Sequence, residues 1–377
     1  MNDDMIVFGE DWGRHPSSTQ HLMQRLAGNT KIIWVNSLGL RRPRFNKADL
    51  ARLVTKASSM LKKPSVTQAH SACPHPFAGL ANPKILPFPG SSLALAFNRV
   101  SLANQIGKLA TDCEISRPIL WTSLPTALCA IGALGERAVV YYAGDDFGAL
   151  AGVDHAPVLA MERELADKAD LIIAASPLIA ERFPAHKTRI LPHGVDYDLF
   201  AAPVARASDL PTGRPVAGFY GSLNEWIDVQ SLAEAAQRLP SWDFVLIGKV
   251  ECDTAKLQNL SNVKLLGPRP HSELPSYCQH WQISLLPFKR NRQIDASNPL
   301  KLREYLACGT PVLASYRFPA AAAYGDAVQF CEDGEGFAEA ILRTKNYSKS
   351  AAYRRNLVLH ESWESRAETV RGWLSEL

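Results

Sequence analysis

The stretch NPLKLREYLACGTPVLAS, Asn298 to Ser315, reads as a short helix running directly into a buried strand. Asn298 suits the N-cap, Pro299 the first helical position, and Gly309 the stop before the apolar run Thr310 to Ala314. That order leaves backbone N–H groups around Leu300 and the positive end of the helix dipole beside Lys301. Glu304, three residues on, shares the same face. A phosphate at the helix start and a hydroxylated sugar next to it would satisfy both side chains. The alternative is a capped surface helix in which Lys301 and Glu304 pair with each other.

Working outward, apolar and β-branched runs recur with helical or loop segments between them. The first series is Met5 to Phe8, Lys31 to Asn36, Ile85 to Phe88, Pro118 to Thr122, Ala138 to Tyr142, Leu171 to Ala174 and Arg189 to Leu191. The second is Val216 to Tyr220, Phe244 to Ile247, Val263 to Leu266, Ile283 to Pro287, Pro311 to Ala314 and Val328 to Cys331. Continuous rather than alternating apolarity suits parallel strands covered on both faces, so the fold class is α/β, two doubly wound units in tandem. Proline, small residues and charges between Pro192 and Thr212 mark the join.

Length agrees, since 377 residues exceed one ordinary hydrophobic core. A net charge of +4 is too small to argue for nucleic acid. Its distribution is uneven: Arg41 to Lys63 holds eight basic residues against the single acid Asp49. Leu50, Leu53, Val54, Ala57 and Leu61 recur there at helical spacing. Such a helix can lie on an anionic membrane, or it can be a packed helix with a solvated basic face. The seven cysteines are scattered without a CxxC pair, which suits reduced thiols. The acidic start at Asp3 and Asp4 is unlike a secretory signal, and Ile119 to Leu134 is too short to span a bilayer. The expected location is therefore cytoplasmic, with peripheral contact at the membrane's inner face through the basic stretch.

Open α/β sheets take ligands beyond the carboxyl ends of their strands. After the first strand come Asp11, Trp12, Gly13, Arg14 and His15, a polar and aromatic loop suited to lining a site or to an ordinary capped turn. After the fifth, Asp145 and Asp146 are adjacent, and either can serve as a general base or cap the following turn. In the second unit Gly221 and Ser222 follow one strand, and Gly248 and Lys249 follow the next. Small residues there let backbone N–H groups approach a diphosphate, and Lys249 adds charge. No His, Cys or carboxylate set has metal-ligand spacing, so neither a metal nor a cofactor is expected.

The NPLKLREYLACGTPVLAS helix, the GSLNEWID loop at Gly221 to Asp228, the LPHGVDYDLF segment at Leu191 to Phe200 and the terminal SWESRAETV at Ser362 to Val370 together resemble GT-B nucleotide-sugar glycosyltransferases of the family 4 kind. The Asp-Trp loop and the Asp145–Asp146 pair are similar to features of bacterial exopolysaccharide glucuronosyltransferases. The resemblance implies two Rossmann-like domains facing a cleft: residues 1–195 for the acceptor, 196–360 for the donor, and a helix over 361–377 returning to the first. It further implies a metal-independent hexosyl transfer from a nucleotide-diphosphate sugar, with a prior for UDP, to a glycan or lipid-linked acceptor. Asn298, Pro299, Leu300, Lys301, Gly221, Ser222 and Lys249 then hold the diphosphate, and Glu304 holds the ribose. Asp11 to His15 line the acceptor side, with Asp146 or Asp145 as base. The sequence departs from the family at Ala296, where a second glutamate is usual, and in the GSLNEWID loop, which lacks the usual Arg and Lys. Lys249, Lys289, Arg290 and Arg292 are the available substitutes. An epimerase or hydrolase on the same architecture, or a non-catalytic nucleotide-sugar binder, would share the helix.

Overall fold

The computed structural model describes residues 3–13, 17–28, 30–38, 75–86, 88, 91–150, 154–332, 336–347 and 349–377. The chain divides into two compact units, Met1–Pro192 with Arg366–Leu377, and His193–Ser365. The first contains β1 (Met5–Phe8), α1 (Ser18–Leu26), β2 (Ile32–Val35), β3 (Gly79–Ala81), α2 (Ser92–Asp112), β4 (Ile119–Thr122), β5 (Ala138–Ala143), α3 (His155–Lys168), β6 (Leu171–Ala174) and β7 (Thr188–Ile190). These strands form one sheet in the order β3-β2-β1-β4-β5-β6-β7, paired in parallel throughout. Every residue of β1, β2, β4, β5 and β6 is buried, as parallel strands covered on both faces require.

The second unit contains β8 (Val216–Tyr220), α4 (Val229–Arg238), β9 (Asp243–Ile247), β10 (Val263–Gly267), β11 (Ile283–Leu286), α5 (Leu300–Cys308), β12 (Val312–Ala314), β13 (Val328–Phe330), α6 (Phe337–Lys345) and α7 (Ala351–Val358). Its parallel sheet runs β10-β9-β8-β11-β12-β13. The last helix, α8 (Trp363–Leu374), starts in this unit, and from Arg366 onward it belongs to the first. The strand order of each sheet reverses once, between β1 and β4 and between β8 and β11. These switch points are where doubly wound sheets present their loops to ligands.

One expected strand is absent. Ile85, Leu86 and Phe88 are irregular, and the strand beside β2 is Gly79–Ala81 instead. Pro83, Pro87 and Pro89 in and around the expected segment remove the N–H donors that a ladder needs. The Leu86 backbone pairs instead with the Asn98 side chain, through an N–H donated to Oδ1 at 2.7 Å and a carbonyl accepting from Nδ2 at 3.0 Å. The basic stretch Arg41 to Lys63 lies outside the described residues. Among those described, no helix is long and apolar enough to cross a membrane.

Helix α5 is fixed at both ends, though its start differs from the sequence reading. Asn298 is not the N-cap: its Oδ1 accepts from the Arg303 guanidinium, and Pro299 takes the cap position in extended backbone. At the other end Gly309 has φ 81°, a left-handed stop. The last carbonyls accept from α7, Gly309 from Arg354 Nε at 2.9 Å, and Ala307 and Cys308 from Arg355 at 3.2 and 3.0 Å. A Cβ at Gly309 would meet Ala351 Cβ at 2.8 Å in a conformation that costs an L-residue about 1–2 kcal/mol. Gly309→Ala is therefore expected to lower stability by about 2 kcal/mol and the melting temperature by several degrees, measured by calorimetry of the full chain. An unchanged melt would show that the stop needs no glycine.

Candidate functional site

The residues that follow β8, β9 and β11 meet at the second switch point. Gly221 (φ 136°) and Gly248 (φ 145°) end β8 and β9, both in backbone conformations that favour glycine. A Cβ on Gly248 would sit 2.0 Å from the Gly221 carbonyl oxygen, and one on Gly221 would sit 2.9 Å from Lys301 Nζ. No side chain fits between the two loops and the lysine. The Lys301 ammonium lies 5.2 Å from the Phe219 ring centroid and 5.5 Å from that of Phe288. Lys301 makes neither an ion pair nor a hydrogen bond among the described residues. Desolvation lowers its pKa to about 8, with the charge of Glu304 opposing the fall. The backbone N–H groups of Leu300 and Lys301, at the open start of α5, also have no acceptor among the described residues.

Glu304 is not paired with Lys301. Its Oε2 accepts from Tyr220 O–H at 2.6 Å and its Oε1 from His271 Nε2 at 2.7 Å. An ionised carboxylate has about four lone-pair sites, so two contacts leave it room for a pair of hydroxyls. Tyr305 O–H donates nothing to this carboxylate; it accepts instead from the Tyr220 backbone N–H at 3.1 Å, fixing α5 against β8. Arg303, buried on the opposite side of the helix start, donates to both Asn298 and Glu361, and Tyr324 O–H donates to the same Glu361 oxygen at 2.6 Å. His271, Tyr220 and Arg303 escaped the sequence analysis because nothing local distinguishes them. Their partners lie 33, 84 and 58 residues away.

Ser222 and Lys249 stand further out. Ser222 Oγ donates to Glu251 at 2.6 Å, and Lys249 Nζ pairs with the other Glu251 oxygen at 2.6 Å. Lys289 is held by the Glu225 carbonyl at 2.9 Å. The side-chain cation against Gly221 is Lys301, not one of the substitutes Lys249, Lys289, Arg290 or Arg292.

In the first unit, loops after β1, β2 and β5 converge. The Trp12 backbone N–H donates to Asn36 Oδ1 at 2.9 Å, Ser37 N–H donates to Asp11 Oδ1 at 3.2 Å, and Ser17 Oγ donates to Glu10 at 2.8 Å. The Trp12 ring packs edge-on against Trp34 and Phe77, at 5.4 and 4.6 Å. Gly13 has φ 81°, whereas Arg14 and His15 lie outside the described residues. The adjacent carboxylates separate in role. Asp146 is buried, accepting from Gly148 N–H at 2.9 Å and from Arg182 at 2.8 Å, and Arg182 also binds Glu162. Asp145 is exposed and accepts no hydrogen bond among the described residues. Enough protein surrounds its carboxyl to push its pKa up to about 6, by desolvation first and then by the charges of Glu10 and Asp146. Water at the exposed residue screens those charges, so the upward direction is the firm part. Between β1 and β5, at the first switch point, Ser123 Oγ and Thr126 Oγ1 are buried without partners. The described residues include no group of three His, Cys, Asp or Glu that could hold a metal ion.

The relatives can be set beside this geometry. Residues 214–346 match the family described as glycosyl transferases group 1. A Bacillus subtilis protein named for a glycosyltransferase role in teichuronic acid biosynthesis, TuaH, is 33% identical over 136 residues, which are 34% of each chain. That alignment thus spans about a third of the curated relative. Sucrose-phosphate synthase from Thermosynechococcus elongatus superposes with a TM-score of 0.71 at 16% identity, over 100% of this chain and 99% of that one. Anabaena HepE, solved with UDP and glucose, superposes with a TM-score of 0.68 at 16% identity over 100% of both. The fold is GT-B.

Burial alone would lower the pKa of His271, but the hydrogen bond and charge of Glu304, with Asp196, outweigh it and leave the pKa raised above 6.5. The pair therefore stabilises the fold fully below pH 6.5 and loses that contribution as pH rises through the raised folded value. Carbon-detected NMR titration of the imidazole is expected to give a value above 6.5 in the wild type and a lower one in Glu304→Gln, where only the charge of Asp196 still opposes desolvation. Equal values would remove Glu304 as the cause.

Proposed function

With residues 214–346 as a group 1 glycosyltransferase domain within a GT-B chain, we propose that the protein moves a hexosyl group from a nucleotide-diphosphate sugar, UDP-linked, to a glycan or lipid-linked acceptor in bacterial polysaccharide synthesis. The observation that carries this reading is the Lys301 ammonium pressed against Gly221, beside the open N–H groups of α5. In glycosyl transfer, the bond from the anomeric carbon to the diphosphate oxygen breaks while the acceptor oxygen bonds to that carbon. Negative charge grows on the leaving diphosphate, and groups already fixed there lower the barrier. Lys301, the backbone around Gly221 and Ser222, and the first turn of α5 at Leu300 supply such groups without a metal. Glu304, oriented by Tyr220 and His271, accepts the ribose hydroxyls. Lys249 and Ser222 reach the outer phosphate edge once released from Glu251. Asn298 and Pro299 shape the loop beside the sugar.

In the first unit the acceptor hydroxyl gives its proton to Asp145 if the anomeric configuration inverts. Asp145 positions the hydroxyl if the configuration is retained. Asp146, engaged by Arg182 and Gly148, holds the loop that carries Asp145. Asp11 and Trp12 with Gly13 shape the adjoining surface, Arg14 and His15 are proposed as further acceptor contacts, and the basic stretch Arg41 to Lys63 as the contact with an anionic membrane.

Thermal-shift titration with UDP, UDP-sugars and the other nucleoside diphosphates tests the donor assignment, because a specific ligand stabilises the fold in proportion to its occupancy. Lys301→Gln is expected to weaken UDP binding about ten- to a hundredfold. Wild-type affinity should fall as pH rises through about 8, where the ammonium loses its proton, and the variant should show no such slope. Binding that is independent of pH in both proteins would reject the lysine as the phosphate clamp.

For the transfer step, Asp145→Asn is expected to cut kcat by 10²- to 10⁴-fold while leaving UDP affinity unchanged. Full transfer by this variant would exclude Asp145 as base. Donor loss at equal rates with and without acceptor would replace transfer by hydrolysis or epimerisation.

A further inference from the structure

Beside β13, the edge strand of the second unit, lies a cavity of about 750 Å³ lined by Arg290, Tyr316, Arg317, Gln329, Cys331 and Arg343. Two of its three guanidinium groups are uncommitted. Arg317 lies 4.4 Å over the Phe330 ring and Arg290 lies 5.8 Å over Tyr316, and neither has a hydrogen bond or carboxylate partner among the described residues. The Tyr316 ring is itself fixed by its O–H donated to Asp295 at 3.0 Å. Arg343 differs, because it donates to the Phe330 carbonyl at 2.7 Å and to Gln329 at 3.3 Å and lies 3.9 Å from Glu332. The other acid of the cavity, Asp326, already takes Tyr353 O–H at 2.5 Å and Lys349 at 2.9 Å. The cavity therefore presents two planar cations, each held on an aromatic face, with no acid paired to either among the described residues.

We propose that this cavity binds a carbohydrate carrying a carboxylate or a phosphate, at a site separate from the Lys301 pocket. A guanidinium stacked on a ring is pre-organised for bidentate contact with a planar or tetrahedral oxyanion. Its volume exceeds what a bare oxyanion fills, against roughly 30 Å³ for a water-sized occupant, and falls within the range of whole small-molecule sites. The stacked guanidinium groups lie over one ring face of Tyr316 and one of Phe330. A wall of aromatic rings separates the two sites: Phe288 beside Lys301, Phe318 at 5.9 Å from Phe288, and Tyr316 at 5.7 Å from Phe318. The inference does not depend on glycosyl transfer.

Calorimetric titration of the full chain with glucuronate, glucose 1-phosphate, inorganic phosphate and glucose, each without and with saturating UDP, tests it. At least one of the two anionic sugars is expected to bind with the same affinity in both conditions, and inorganic phosphate and glucose at least tenfold more weakly. The double variant R290Q/R317Q should lose that binding at least tenfold with an unchanged melting temperature, and Lys301→Gln should keep it. Which anionic sugar binds tells carboxylate from phosphate. Loss of binding under UDP, equal binding of glucose or of phosphate alone, or full binding by R290Q/R317Q would each overturn the proposal. Failure of UDP itself to bind would count against the donor assignment and leave the UDP-free comparison intact.

Discussion

The second unit is organised around a lysine that is charged where charge is costly. Lys301 is half-buried, with its ammonium between two phenylalanine rings and no acid in contact. Holding it there costs on the order of 3 kcal/mol, given the fall of its pKa to about 8. Cation–π attraction to Phe219 and Phe288 offsets part of this, about 1–2 kcal/mol. The charge of Glu304 helps from a distance, although that carboxylate hydrogen-bonds to Tyr220 and His271 rather than to the lysine. An anion arriving at Gly221 would supply the missing counter-charge. Both glycines must stay bare for distinct reasons: a methyl group on Gly221 would press on Lys301, and one on Gly248 would run into the Gly221 backbone.

Such a site needs rigid support, and the support is polar. The carbonyl end of α5 is held by Arg354 and Arg355 from α7, and Arg303 ties the start of the helix to Glu361 and Tyr324. With both ends fixed from behind, the first turn is the one part of the helix whose N–H groups face outward without partners. Hydrogen bonds to charged groups of this kind contribute about 1.5–3 kcal/mol each, enough to hold the turn in place before any ligand arrives.

The fold was legible in the sequence because its strands are parallel and buried on both faces, which writes each one as an uninterrupted apolar run. Gly309 was legible for a related reason, since a left-handed stop admits few residues. What was hidden depended on distant partners. Asn298 has the chemistry of an N-cap, but Arg303 competes for the same oxygen with a charge, and the charge prevails. Glu304 and Lys301 have the spacing of an ion pair, yet Tyr220 and His271 come from elsewhere in the chain and claim the carboxylate. Strand β3 has only three residues, Gly, Leu and Ala, none of them β-branched, so no propensity marks it. The prolines around Ile85 should have spoken against a strand there.

The Asp145–Asp146 pair shows how one dipeptide can be divided between structure and chemistry. The two neighbouring carboxylates lie at the bend that follows β5, and they meet different environments, Asp145 exposed and Asp146 buried. Asp146 points inward, where Arg182 also binds Glu162 and Tyr141 O–H donates to Glu162 at 2.8 Å. Asp146 is engaged there by the Arg182 guanidinium and the Gly148 N–H. Asp145 faces the Glu10 side, where like charge and desolvation favour the protonated form and no hydrogen bond opposes it. A proton can be gained or lost there without breaking an internal contact. The proposed acid–base role accordingly goes to Asp145, with Arg182 tying Asp146 and Glu162 together behind it.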